Sequence, residues 1–148
     1  MVGKMAGYPP LLKLADEAAY RARFEAIYCA GAVRTFDGIA VRFQKRDFDH
    51  CFFESSKRNR IKDTFSPLRA ERLEWIAVAL QDAAADRFQG WDRDTKTYDK
   101  TRRVTLVCGN YVVVIALTRE TSARFITAYV ANTPSTLAKL KSSPKWTP

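Results

Sequence analysis

Alternation of apolar and polar positions is sharpest late in the chain, where Arg103-Val104-Thr105-Leu106-Val107-Cys108 and Tyr111-Val112-Val113-Val114-Ile115-Ala116-Leu117 flank Gly109-Asn110. β-Branched residues at this density favour strands, and the Gly-Asn connection fits a two-residue hairpin turn. Such a turn sets Cys108 opposite Tyr111, Leu106 opposite Val113 and Thr105 opposite Val114. A third strand is expected from Arg124 to Val130, after the loop Thr118 to Ala123. Period two places Val104, Leu106, Cys108, Tyr111, Val113 and Ile115 on one face, joined in the third strand by Ile126, Ala128 and Val130. That face is expected to meet helices. The other face gathers Arg103, Thr105, Val107, Val112, Val114 and Ala116, with Phe125, Thr127 and Tyr129.

Helical spacing dominates earlier. After Pro9-Pro10, a helix is expected from about Leu11 to Ala30 with Leu12, Ala19, Ala26, Ile27 and Ala30 on its apolar stripe, stopped by Gly31. Asp37-Gly38 between Val33-Arg34-Thr35-Phe36 and Ile39-Ala40-Val41-Arg42-Phe43 has the chemistry of a two-residue hairpin turn. Ser66-Pro67 supplies an N-cap and a first-turn proline for a second helix, whose core stripe is Leu68, Leu73, Ile76, Ala79, Leu80 and Ala83. Trp75 on that helix reads as packing. The stretch Phe88 to Lys100 is polar and turn-rich and reads as a loop or short hairpin, and Ser135 to Lys141 as a short helix in a tail, residues 134–148, that ends on Pro144-Lys145-Trp146. No repeat or linker divides the chain. The expected fold is therefore α+β, one domain over residues 1–148, with N-terminal helices packed on one face of a C-terminal antiparallel β-sheet.

Charge changes the picture more than composition does. The 148 residues carry 25 Lys+Arg against 16 Asp+Glu, a formal net charge of +9. Such an excess attracts polyanions, RNA among them, and phosphate backbones more readily than neutral ligands. No apolar run approaches the roughly 20 residues of a membrane span, and the N-terminus lacks a secretory apolar core, so a cytoplasmic protein without a membrane partner is expected. Cys29, Cys51 and Cys108 are widely spaced and show no zinc pattern, and no metal or other cofactor is expected. Cys29 and Cys108 read as small buried hydrophobes. Cys51 stands beside the single histidine, but neighbouring residues of an extended segment diverge, which disfavours a Cys–His nucleophile.

That histidine, His50, lies in Asp47-Phe48-Asp49-His50-Cys51-Phe52-Phe53-Glu54, just upstream of Lys57-Arg58-Asn59-Arg60-Ile61-Lys62. An imidazole is the side chain best suited to proton transfer near neutrality, and Lys57, Arg58, Arg60 and Lys62 form a stretch too charged to bury, able to touch phosphates. Arg103 and its neighbour Arg102 are candidates for a phosphate clamp, because a guanidinium offers a planar fork of donors. Trp91 and Tyr98 are candidates for stacking on bases, with Lys100 beside them. No pair of carboxylates at glycosidase spacing sits on the expected open sheet face.

Taken together, these segments resemble the barnase–EndoU–colicin–RelE-like (BECR) ribonuclease superfamily, especially its phage- and toxin-associated branches. The resemblance runs from about Phe36 to Trp146. It is carried by Phe48-Asp49-His50-Cys51-Phe52-Phe53-Glu54-Ser55, by Lys62-Asp63-Thr64-Phe65-Ser66 leading into Arg69-Ala70-Glu71-Arg72-Leu73-Glu74-Trp75-Ile76, by Gln89-Gly90-Trp91-Asp92, by Arg102-Arg103-Val104, and by Phe125-Ile126-Thr127-Ala128-Tyr129. It implies metal-independent RNA cleavage, with His50 as general base or acid, Arg102 or Arg103 on the scissile phosphate, and Thr127 with Tyr129 orienting it or stabilising charge. An acidic antitoxin or immunity protein would complement the charge. A strand carboxylate of the barnase kind is not evident, and Tyr129, Glu54 or Lys100 stand as candidates for the second acid–base group. The resemblance does not explain the N-terminal helix. Two other readings use the same features: a non-catalytic basic nucleic-acid-binding module, and a degenerate phage structural or host-interaction protein.

Overall fold

The pairing expected from the Gly109-Asn110 turn is present, with Cys108 opposite Tyr111, Leu106 opposite Val113 and Thr105 opposite Val114. Gly109 has φ +62°, the left-handed region that a tight turn demands and that glycine enters at little cost. The computed structural model describes residues 7–55, 63–92 and 96–146, and within them the backbone alone at 91–92 and 99–103. In chain order its elements are α1 (Glu17–Tyr28), β1 (Val33–Arg34), β2 (Ala40–Arg42), α2 (Asp47–Phe52), β3 (Phe53–Glu54), β4 (Thr64–Phe65), α3 (Pro67–Ala70), α4 (Trp75–Leu80), β5 (Asp86–Asp92), β6 (Thr97–Cys108), β7 (Tyr111–Arg119), β8 (Ser122–Val130) and α5 (Pro134–Lys141). The main sheet has the order β1-β2-β8-β7-β6-β5 and is antiparallel except where β2 runs parallel to β8. The fold is α+β, as the hydrophobic pattern predicts. Among the described residues no helix is long and apolar enough to cross a membrane.

Several local expectations are corrected. The first helix begins at Glu17, capped by Asp16, whose carboxylate accepts from the Ala19 N–H at 2.9 Å. Its buried stripe is Tyr20, Phe24 and Tyr28, spaced by four, while Ala26 and Ala30 are exposed. Residues 8–14 lie outside the helix: the Trp75 indole N–H donates to the Pro9 carbonyl at 2.8 Å, and the Leu12 N–H to the Glu71 carbonyl at 2.7 Å. The second helix is broken into α3 and α4 by the turn at 71–74, leaving Leu68 71% exposed although Leu73, Ile76, Ala79 and Leu80 are buried. Ser66 caps α3 as expected, accepting from the Arg69 N–H. Asp37-Gly38 closes a three-residue rather than a two-residue loop, because the Thr35 N–H bonds to the Ile39 carbonyl and Gly38 takes φ +92°. Of the two readings of Phe88 to Lys100, a loop or a short hairpin, the hairpin holds, with residues 88–92 and 97–100 forming the ends of strands β5 and β6 that pair with each other.

One aromatic core joins helices to sheet. Phe24 of α1 lies 5.3–6.0 Å from the rings of Tyr28, Phe43, Phe48 and Phe52, and Phe43 stacks on Phe125 of β8 at 4.7 Å. Edge-on and tilted contacts of this kind suit the ring quadrupoles. Through Phe48 and Phe52 the core fixes α2 against β8.

The register of β8 contains the correction that matters most. Val114 opposes Thr127, yet Ile115 opposes Phe125, so Ile126 is an extra residue, a β-bulge. Beyond it the parity of the strand reverses. Phe125 and Ala123 face the core, 1% and 2% exposed, and Arg124 turns to the outer face opposite Ala116. Strict alternation from Ala128 would have sent Arg124 inward and Phe125 outward.

The outer sheet face is not open throughout. Val107, Val112 and Phe88 on that side are at most 2% exposed, and Thr105 is buried. Residues 144–146 extend the sheet beyond β5, where Phe88 bridges Lys145 and the Trp146 N–H bonds to the Arg87 carbonyl, so Trp146 is docked. Helix α5 has no buried residue, and none of its residues belongs to the aromatic core.

Candidate functional site

Past Arg42, β2 leaves β8, and the chain turns through Gln44, Lys45 and Arg46 into α2. This departure uncovers the edge of β8 at the bulge, and α2 packs alongside it. The result is a hollow of about 480 Å³ lined by Arg46, Asp47, Asp49, His50, Arg124, Phe125 and Ile126. Its volume falls in the range of small-ligand sites, roughly 300–1,000 Å³.

The helical form of residues 47–52 decides which way the chemistry points. Phe48, Cys51 and Phe52 are at most 1% exposed and form the inner side, while Asp49 and His50 are exposed. His50 makes no side-chain hydrogen bond or ion pair among the described residues, and neither do Arg46 and Arg124. Both carboxylates of the hollow are engaged. Asp47 accepts from the Gln44 N–H at 2.8 Å, and Asp49 accepts from Arg21 at 2.6 Å. Arg21 in turn lies 4.4 Å from the Phe48 ring centroid, which ties this ion pair to the core. The hollow thus holds two guanidiniums and an imidazole without side-chain partners among the described residues, beside one carboxylate paired with Arg21 and one held by a backbone N–H.

The other expected site residues are placed as follows. Thr127 and Tyr129 lie on the outer face of β8, half-buried, opposite Val114 and Val112, and do not line the hollow. Burial raises the Tyr129 phenol, with Arg69 opposing in part, so it remains a hydrogen donor and is poorly suited to act as a base. Arg103 stands in register opposite Ala116, which itself opposes Arg124, so the two arginines share one lateral row of the sheet. The side chains of Arg103, Arg102, Lys100 and Trp91 lie outside the described residues, as do residues Lys57, Arg58, Arg60 and Lys62 entirely. Tyr98 is exposed on β6, near the Ser143 hydroxyl, with β7 between its strand and β8. Glu54 pairs with Arg69 at 3.4 Å, away from the lining.

Arg46, Arg124, Asp47 and Asp49 are the lining residues that sequence reasoning does not select. A signal for Arg124 exists in the sequence: alternation that buries Ile126, Ala128 and Val130 would also bury an arginine, a cost that a single extra residue removes.

None of the cysteines joins the hollow. Cys51 is fully buried and donates to the Ala128 carbonyl at 3.4 Å. Burial raises the thiols of Cys108 and Cys29. Cys29, expected to be buried, is only partly so, whereas Cys51 and Cys108 are buried; native protein treated with a disulfide reagent at about pH 8, near the ordinary thiol range, is therefore expected to report no more than Cys29 quickly, and the unfolded protein all three thiols at once. A fast native thiol that vanishes in Cys51→Ala would contradict this burial. Among the described residues, no three His, Cys, Asp or Glu side chains are grouped to hold a metal ion.

Comparison of the chain with family models, with curated protein sequences and with solved structures yields no match.

Proposed function

We propose that this protein is a metal-independent endoribonuclease acting in the cytoplasm, a toxin or a phage or prophage effector, with its site in the hollow between α2 and β8. The observation that carries the reading is the convergence of His50, Arg46 and Arg124, none with a side-chain partner among the described residues, in one solvent-facing hollow whose carboxylates are already engaged. Two guanidiniums can hold a phosphodiester through charge-assisted bonds, and the imidazole beside them can move a proton. In the reaction, the 2′-hydroxyl oxygen bonds to phosphorus and the bond from phosphorus to the 5′-oxygen breaks. One group removes the 2′-proton and another protonates the departing oxygen, leaving a 2′,3′-cyclic phosphate and a 5′-hydroxyl. His50 carries one of these transfers, and Asp47 and Asp49 are the other titratable side chains beside it among the described residues. Arg124 and Arg46 stabilise the charge that grows on the non-bridging oxygens.

This reading shifts the phosphate clamp from the expected Arg102 or Arg103 to Arg124 and Arg46. It leaves Thr127 and Tyr129 as neighbours on the strand. An acidic antitoxin or immunity protein is the fitting inhibitor, since carboxylates would occupy the same guanidiniums.

The test is incubation of purified protein with end-labelled single-stranded RNA in EDTA. Wild type is expected to yield cyclic-phosphate ends, and Arg124→Ala to slow the reaction by about 10²-fold, the usual loss when one donor to a developing oxyanion is removed. A second reading, a nucleic-acid-binding module without catalysis, is favoured by one observation: no hydroxyl side chain lines the hollow among the described residues. Salt-sensitive RNA binding without cyclic-phosphate ends would establish it.

A further inference from the structure

A second, smaller hollow adjoins the first. It has a volume of about 50 Å³ and is lined by Arg42, Gln44, Arg46, Asp47, Arg124 and Phe125, so Arg46, Asp47, Arg124 and Phe125 are common to both. Arg42 opposes Arg124 across the parallel β2–β8 pairing, and both are exposed. Neighbouring strands are only about 4.8 Å apart, so the register sets two like charges side by side. Neither arginine has an ion pair among the described residues. In the lining of the joined hollows, Arg42, Arg46 and Arg124 face two carboxylates, Asp47, which accepts from a backbone N–H, and Asp49, which is paired with Arg21, itself also bound by Glu17. Such an arrangement leaves excess positive charge that a chain of anions can neutralise.

The two volumes differ in what they admit. By the same measure the smaller hollow is roughly a tenth of the larger, and Arg42, Gln44, Arg46 and Arg124 line it with donors that suit phosphate oxygens. The larger one has room for a nucleoside and its phosphate. Phe125, the aromatic residue that lines it, does not offer a base platform, because it is 1% exposed and stacked on Phe43.

We infer that the small hollow is a second phosphate subsite, in which Arg42, with Gln44, holds the phosphate next to the scissile one, so that the substrate is an RNA strand with consecutive phosphates rather than a single nucleotide. This rests on the larger hollow being the site of phosphodiester binding. The subsite also supplies grip on the backbone without reading a base, so affinity at this position is independent of sequence.

Binding of two non-cleavable ligands tests it: a 2′-deoxy dinucleoside monophosphate, and the same compound carrying phosphates on both its 5′ and 3′ ends. Wild type is expected to prefer the phosphorylated form by about tenfold, as for one added charge-assisted contact. Arg42→Ala is expected to weaken the phosphorylated ligand several-fold more than the unphosphorylated one, and to lower the slope of log K against log salt by about 0.7 with an oligodeoxynucleotide. Lys139→Ala, which removes the same charge from exposed α5, is expected to leave that slope in place. Equal losses on both ligands, or an unchanged slope in Arg42→Ala, would overturn the subsite. Should the ligands behave as expected while wild-type protein leaves RNA intact, the subsite stands and the catalytic reading falls; should wild type bind neither ligand, both fall.

Discussion

His50→Ala is expected to lower the rate of RNA cleavage by about 10²–10⁴-fold, the usual contribution of one positioned general acid or base. The ring is exposed, partnerless among the described residues and set beside Arg46 and Arg124, so its loss removes a proton carrier without opening the core. Binding of a non-cleavable 2′-deoxy oligonucleotide is therefore expected to stay within about threefold of wild type, the pattern of a group that acts only in the transition state. Urea unfolding midpoints are likewise expected to coincide, since surface substitutions of this kind usually change stability by no more than about 0.5 kcal/mol. His50→Asn keeps a hydrogen-bonding side chain of similar reach but cannot transfer a proton at neutrality, and it is expected to be as slow as the alanine variant. Recovery of activity in His50→Asn would show that the residue positions RNA and does not move a proton. Unchanged cleavage in His50→Ala would remove the histidine from the mechanism altogether.

The second large effect concerns stability. Phe24→Ala is expected to destabilise the protein by about 3–5 kcal/mol, the usual cost of emptying a buried aromatic site. Against a total of roughly 5–15 kcal/mol for a domain, that is a large share. Phe24 is fully buried and touches rings from its own helix, from the segment after β2 and from α2. The resulting void lies directly beneath Phe48 and Phe52, the residues that hold α2 against β8. Loss of activity on warming is expected before global unfolding, because α2 carries His50, Asp47 and Asp49. Denaturant titration gives the stability change, and cleavage assayed over temperature gives the local effect. A cost below about 1 kcal/mol would mean that the core relaxes around the gap and that Phe24 is not its hub.

Much of the architecture is legible in the chain because it is set locally. The Gly109-Asn110 hairpin is fixed by turn chemistry and β-branched flanks, and its register follows residue by residue. Ser66-Pro67 starts a helix where capping chemistry says it will. The first helix is shorter than its apolar spacing suggests because Asp16 caps it internally, and because residues 8–14 gain more from packing on Trp75 and Glu71 than from another turn of helix. Large rings at Tyr20, Phe24 and Tyr28 outweigh the alanines of the expected stripe, since buried apolar area scales with side-chain size.

His50 is legible as a candidate because histidine is rare here and chemically distinctive, and the charge excess points to an anionic ligand from composition alone. Its surroundings are another matter. Arg124 reaches the hollow through one extra residue in β8, and Arg42 meets Arg124 through a parallel pairing between segments some eighty positions apart. Periodicity carries no record of either, because a bulge and a long-range register are chosen by the total fit of Phe125, Phe43 and Phe24 in the core and not by any local preference. The sequence by itself determined the hairpin of β6 and β7 with its register, and the start of α3 at Ser66-Pro67. Tertiary packing alone decided which guanidiniums stand beside the imidazole, because that depends on where β2 leaves β8 and on which way the bulged strand turns its side chains.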